Sequence, residues 1–171
     1  MNLRTLTLLL AIMTTALSAG LFYAWTISVI PGLRNISHRS YLEAMQSINR
    51  AILNPGFFII FFGSMVLLIA SAYSQYKVST NITFWFVLIA IIFYGIGTLG
   101  VTIFGNVPMN ESLDLIDLSK LSADELKLTR LSYEGKWNQF NTIRTVFSVL
   151  AFTAILLANF FSETITTRFN N

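Results

Sequence analysis

Asn106 and Asn110 stand four residues apart, on either side of Pro108, in the stretch Phe104-Gly105-Asn106-Val107-Pro108-Met109-Asn110. Two amides at that spacing share one face of a helix. Proline lacks the N–H that a helix interior uses, so it kinks or ends the helix, and Gly105 loosens the backbone just before it. The expectation is two neutral amides beside freed carbonyls at the rim of an apolar region, where unpaired polar groups are costly. Amides both donate and accept, so such a pair can orient a polar group of a bound molecule. A second set is Trp137, Asn141, Arg144 and Ser148, at offsets of four, seven and eleven, which one helix face can carry together. An arginine on that face could stabilise an anionic oxygen. Arg50 and Asn54 form a third set, one helical turn apart. Taken singly, these residues have plainer roles: Trp137 as an interface anchor, Arg50 and Arg144 as snorkelling charges. Their alignment is what argues for a pocket, with Asn106, Asn110, Asn141 and Arg144 as the catalytic candidates and Arg50, Asn54 and Trp137 around them.

The rest of the inventory narrows the chemistry. There is no cysteine, which removes disulfides, Fe–S ligation and thiolate nucleophiles, and the single histidine, His38, argues against a His-rich metal or di-haem centre. No histidine or carboxylate falls inside a hydrophobic run, so a general base is not evident. Glu111, the carboxylate nearest the asparagine motif, reads as a solvated helix-end residue.

Charged residues make up 11% of the chain, about half the usual share of a soluble domain, and hydrophobic residues 54%. Apolar runs over about 6–30, 56–76, 82–104 and 141–162 explain the imbalance and are long enough to cross a bilayer. The first run outlasts a signal-peptide core of about 7–15 residues, so it reads as a retained helix despite the small residues at Ala16-Leu17-Ser18. Pro31-Gly32 is expected to stop it. Leu33–Asn54 reads as an amphipathic helix near the interface, opened by a capping box from Ser40 to Glu43. The short link containing Lys77, Ser79, Thr80 and Asn81 makes the second and third runs antiparallel neighbours. Gly95, Gly97 and Gly100 suit close helix packing or, less simply, an opening. Glu111–Gln139 is the main extramembrane segment, with a capping box at Ser122 and Glu125, and Gly135 weakens its helix without requiring a break. The fold class is therefore all-α: one integral membrane domain over 1–171, a four-helix transmembrane bundle with short amphipathic helical cap segments. Those caps, Leu33–Asn54 and Leu121–Gln139, are expected on the same side.

Of the 11 Lys and Arg residues, eight fall in or beside the first and third loops and three on the other side (Arg4, Lys77 and Arg168). That bias predicts both loops in the cytoplasm and both termini outside a plasma or cytoplasmic membrane.

Several stretches carry a resemblance: Pro31-Gly32-Leu33, Ala44-Met45-Gln46 with Ile48-Asn49-Arg50, Asn54-Pro55 with Phe57-Phe58, Gly105 through Asn110, and Trp137, Asn141, Arg144 and Thr145. In these the chain resembles the anthrone oxygenase-like family of small four-helix membrane proteins, most of them without an assigned reaction. The resemblance implies conserved polar residues near the span ends, at Asn49, Arg50, Asn54, Asn106, Asn110, Asn141 and Arg144. It also implies oxidation of an activated phenolic substrate by dioxygen without a bound cofactor. A non-enzymatic module binding a lipid, a quinone or a partner helix would use the same residues. Expected partners are membrane lipids and an apolar aromatic or quinone-like small molecule, with a homo-oligomer left open. Transport is disfavoured because no inverted repeat is visible, and nucleic-acid binding because the basic residues are sparse and mixed with acids.

Overall fold

The computed structural model describes residues 3–76 and 82–168, so the link at Lys77–Asn81 lies outside the described residues. Helix α1 (Leu3–Ala24) runs through a π-helical turn (Trp25–Val29) into α2 (Ile30–Arg34). Helix α3 (His38–Ala51) precedes α4 (Pro55–Tyr76). Helix α5 (Ile82–Ile92) continues through π-helical segments at Phe93–Gly100 and Thr102–Asn106 into α6 (Val107–Asp114). A 3₁₀ turn (Leu118–Lys120) then leads to α7 (Ala123–Arg168). Four continuous helices, Leu3–Arg34, Pro55–Tyr76, Ile82–Asp114 and Ala123–Ser162, are long and apolar enough to cross a membrane. The protein is all-α and integral to a membrane.

Pro31 does not stop the first helix, contrary to the sequence expectation, and Pro108 does not end the third. Each follows a π turn: the Ile30 N–H bonds the Trp25 carbonyl and the Val107 N–H bonds the Thr102 carbonyl, both spanning five residues. The wider turn gives the Pro31 and Pro108 rings room against the preceding backbone, so the helix absorbs each proline as a bulge. His38 is the first residue of α3. The α3 cap is Ser37, whose Oγ accepts from the Ser40 N–H at 3.1 Å, so the capping box expected at Ser40 is one turn out of place. The box at Ser122 is present, with Ser122 N–H donating to Glu125 Oε2 at 2.8 Å and Glu125 N–H to Ser122 Oγ at 3.3 Å. Helix α7 passes Gly135 without interruption.

The four long helices close into a ring in which α1 packs on α4 and α7, and α5 packs on the same two. Their shared core is built from small residues, Ala11, Ala72, Ala90, Ala151, Ala154 and Ala158, filled out by Leu8, Leu68, Val87 and Ile155. Lipid tails are as apolar as leucine, so close backbone approach rather than water exclusion drives this packing. Gly97 shows the same logic, because a Cβ there would overlap the Phe147 ring. Large apolar side chains such as Met13, Ile59, Val66, Ile96 and Phe160 are exposed to the lipid instead. Both amphipathic segments cap one end. Tyr41, Leu42 and Met45 of α3 pack with Leu113, Leu118, Leu126, Tyr133 and Trp137. Polar bonds fix that cap, with Gln46 Nε2 donating to the Leu113 and Ile116 carbonyls at 2.9 Å each.

Candidate functional site

The end of α7 that meets the cap carries the polar face, and that face is inward: Trp137, Asn141, Arg144 and Ser148 are all buried. Burial forces each polar group to find a partner. The Trp137 indole Nε1 donates to Asn110 Oδ1 at 2.8 Å, and the Tyr133 hydroxyl donates to the same oxygen at 2.8 Å. Asn49 Nδ2 in turn donates to the Tyr133 oxygen at 3.1 Å, tying α3 to α6 and α7. Asn106 Nδ2 donates to the Trp137 carbonyl at 3.3 Å. The two amides of the Pro108 motif thus bond across to α7 instead of satisfying their own helix. Trp25 from the π turn of the first helix packs on Trp137 with ring centroids 5.0 Å apart.

One turn further into the bundle, Arg144 donates through Nε and Nη2 to Asn141 Oδ1 at 3.2 and 3.0 Å. Its guanidinium carbon lies 4.5 Å from the Phe22 ring centre and 5.1 Å from that of Trp137. Asn141 Nδ2 donates to Thr26 Oγ1 at 3.0 Å, and the Thr145 hydroxyl donates to the Phe22 carbonyl at 3.1 Å. Arg144 is 7% exposed, and among the described residues no ion pair neutralises it. A guanidinium with five N–H groups, two aromatic faces and one amide acceptor retains unused donor capacity.

That capacity lies on a cavity of about 210 Å³, lined by Trp25, Asn49, Asn106, Asn110, Trp137 and Arg144, with Phe22, Phe57, Thr102 and Glu111 among the other walls. Asn106 is fully buried, and its Oδ1 has no hydrogen-bond partner. Arg50, on α3, also lines the cavity, and it bonds Asp114 Oδ1 at 2.7 Å in a half-exposed ion pair at the rim. Asn141 stands behind Arg144 and outside the lining. Asn54 is elsewhere: its Oδ1 accepts from the Phe57 N–H at 3.0 Å and its Nδ2 donates to the Ala51 carbonyl at 2.9 Å, which caps α4. Among the described residues no three His, Asp or Glu side chains gather as a metal site would need.

Some participants escaped the sequence reading. Tyr133 continues the α7 face one turn upstream of Trp137, a spacing visible in the sequence. Phe22 and Thr26 come from the distant first helix and carry no local signal, and Asp114 ends the same α6 that carries Asn110.

The sequence profile described as anthrone oxygenase matches residues 57–154, more than half of the chain. The chain belongs to the anthrone oxygenase family. No curated protein and no solved structure matches it. The matched region holds Asn106, Asn110, Trp137, Asn141 and Arg144, whereas Phe22, Trp25 and Asn49 complete the family segment's cavity from outside the match.

Proposed function

We propose that this protein is a cofactor-independent, oxygenase-like membrane enzyme acting on a phenolic or other apolar small molecule. The carrying observation is Arg144, a buried cation without a carboxylate partner that faces an aromatic-walled cavity. A desolvated guanidinium strongly favours an anion beside it, and a phenolate or enolate brings a ring that Trp25, Phe57 and Trp137 can pack against. The cavity volume is below the roughly 300–1,000 Å³ of typical drug-sized sites, which suits a compact ring system better than a whole lipid. Once ionised, such a substrate is electron-rich enough to reduce dioxygen itself. A ring methylene then loses two hydrogens and gains one oxygen atom as a carbonyl, and the second oxygen atom leaves as water. Glu111, on α6 next to Asn110, lines the cavity and is free of the ion pair that ties Asp114 to Arg50, so it takes the role of proton acceptor in this scheme.

The test is oxygen uptake by the purified protein with a hydroxylated anthrone, comparing wild type, Arg144→Gln and Glu111→Gln. Substrate-dependent uptake that both substitutions reduce supports the enzyme. Tight binding without uptake in wild type would replace it with a binding module. We further propose that the cap faces the cytoplasm of a plasma or cytoplasmic membrane, as the basic residues favour. Terminal tags cleaved only from the cytoplasmic face would reverse that orientation.

A further inference from the structure

The outward face of α7 carries one stripe from the bilayer into water. Leu128, Leu131, Gly135, Thr142, Val146 and Val149 follow one another at intervals of three, four and seven residues, which keeps them on a single helix face, and all are exposed. Inside the bilayer, lipid covers such a face without cost. Lys136 is exposed and charged, so the hydrocarbon ends below it. Leu131 and Leu128 stand about 8 and 12 Å further out along the helix, among exposed Glu125 and Lys127, where lipid tails do not reach. Gly135 lies between these two regions. A Cβ there would meet nothing of its own chain, whereas at Gly97 and Gly105 it would meet the rings of Phe147 and Phe140. Glycine weakens a helix relative to alanine, so the fold of one chain gives no reason for Gly135, and close approach of a second helix does.

We propose that this face is a homodimer interface, in which two copies pair α7 on α7 about a two-fold axis along the membrane normal and cross at Gly135. Both copies enter the bilayer the same way, which fixes that axis and makes the two helices parallel. In a parallel pair the opposite flanks of the stripe meet. Lys127 and Glu134, seven residues apart, lie on one flank, and Glu125 and Lys136, eleven apart, lie on the other. Lys127 therefore faces Glu125 of the second copy, and Glu134 faces its Lys136, which makes four opposite-charge contacts by symmetry. Glu134 already holds Arg130, yet a carboxylate has acceptor capacity for both. Exposed ion pairs add little energy each, but they select the partner and the register. Asp124, an acid at the outer end of the stripe, falls where helices that cross at Gly135 have diverged. The pair is independent of what the cavity under the cap binds.

The chain has no cysteine, so a single introduced one reports a single contact. In native membranes under mild oxidation, Leu131→Cys should form a disulfide dimer about tenfold faster than Leu115→Cys, whose position at the end of α6 is more exposed (88% against 63%) but lies off the stripe. Lys127→Glu combined with Lys136→Glu changes two exposed side chains and sets like charges at all four contacts. In liposomes, dimer fraction against protein-to-lipid ratio should then show an association constant about tenfold lower. Crosslinking of Leu131→Cys no faster than Leu115→Cys, or a wild-type monomer at every ratio, overturns the pair and leaves the stripe to lipid. An adduct of Leu131→Cys with a different protein instead of a second copy overturns it too and gives the face to that partner. A double charge variant that associates like the wild type overturns the two-fold register.

Discussion

Two buried arginines on α7, fourteen positions apart, do opposite things. Arg130 is saturated: Nε donates to Glu134 Oε2 at 2.7 Å, and the Nη groups reach the Ile36 and Arg34 carbonyls at 2.8 Å and that of Leu33 at 3.3 Å. Tyr41 covers its guanidinium at 4.3 Å. These bonds close the end of α2, where helix carbonyls lack intrahelical donors, and bind the first helix to the cap. Arg144 has equal burial but one amide, two ring faces and a cavity. Burial alone therefore does not mark a site. Incomplete neutralisation does, because a membrane protein keeps an unpaired charge in its interior only where something else comes to meet it.

The sharpest way to break this contrast is Arg130→Met. It leaves three carbonyls without donors and Glu134 without its cation, so stability should fall by about 3 kcal/mol, read as a lower thermal midpoint in detergent. An unchanged midpoint would mean that the saturated arginine is not a staple. Arg144→Gln should act on the other axis. Loss of charge-assisted bonds should weaken an anionic phenol about ten- to a hundredfold, while unfolding stays within about 1 kcal/mol, since removing an unpaired buried charge relieves a desolvation penalty. If Arg144→Gln instead unfolds as readily as Arg130→Met, the two arginines are both structural.

Tyr41 reports on the Arg130 region through pH. Burial, and then the Glu134 carboxylate, push its hydroxyl well above the usual tyrosine range, with Arg130 opposing. The neutral form is the one that folds. Stability from this group is thus complete below about pH 10, where an unfolded tyrosine begins to ionise, and falls by about 1.4 kcal/mol per pH unit above it. Tyr41→Phe should flatten that decline in a midpoint-against-pH series. An identical alkaline slope in both proteins would show that Tyr41 is not held neutral by its surroundings.

How much of this contrast the sequence carried depends on the range of each interaction. The four hydrophobic runs, the Ser122–Glu125 box and the inward face of Trp137, Asn141 and Arg144 are periodic or local features, and they are where the residue pattern puts them. The i,i+4 spacing of Arg130 and Glu134 was local too, but nothing in it tells a solvated pair from one buried under Tyr41. Pro31 and Pro108 leave their helices continuous for a physical reason. A π turn upstream makes proline compatible with a continuous helix, and no residue type announces one. The Phe22 ring against Arg144 and the Ile36 carbonyl on Arg130 lie about a hundred residues away, on the first helix and the turn after it, where spacing arguments do not reach.

Asn54 supplies the mildest test and separates a polar residue near the site from one in it. Arg50 and Asn54 are a turn apart in sequence, yet α3 ends at Ala51, so the helical face that would join them stops short. Arg50 stays at the cavity rim, while Asn54 turns to serve the next helix, accepting from the Phe57 N–H at 3.0 Å ahead of Pro55-Gly56. A lost N-terminal cap costs about 1 kcal/mol. Asn54→Ala should lower stability by that amount and leave the affinity for a phenolic ligand at the wild-type value, whereas Asn54→Asp, which keeps the acceptor, should restore the midpoint. The α4 start also bears Phe57, a cavity wall, so a fraying cap has a route to the site. If Asn54→Ala weakens ligand binding while Asn54→Asp does not, the cap holds Phe57 in place. If both weaken it, Asn54 belongs to the cavity after all.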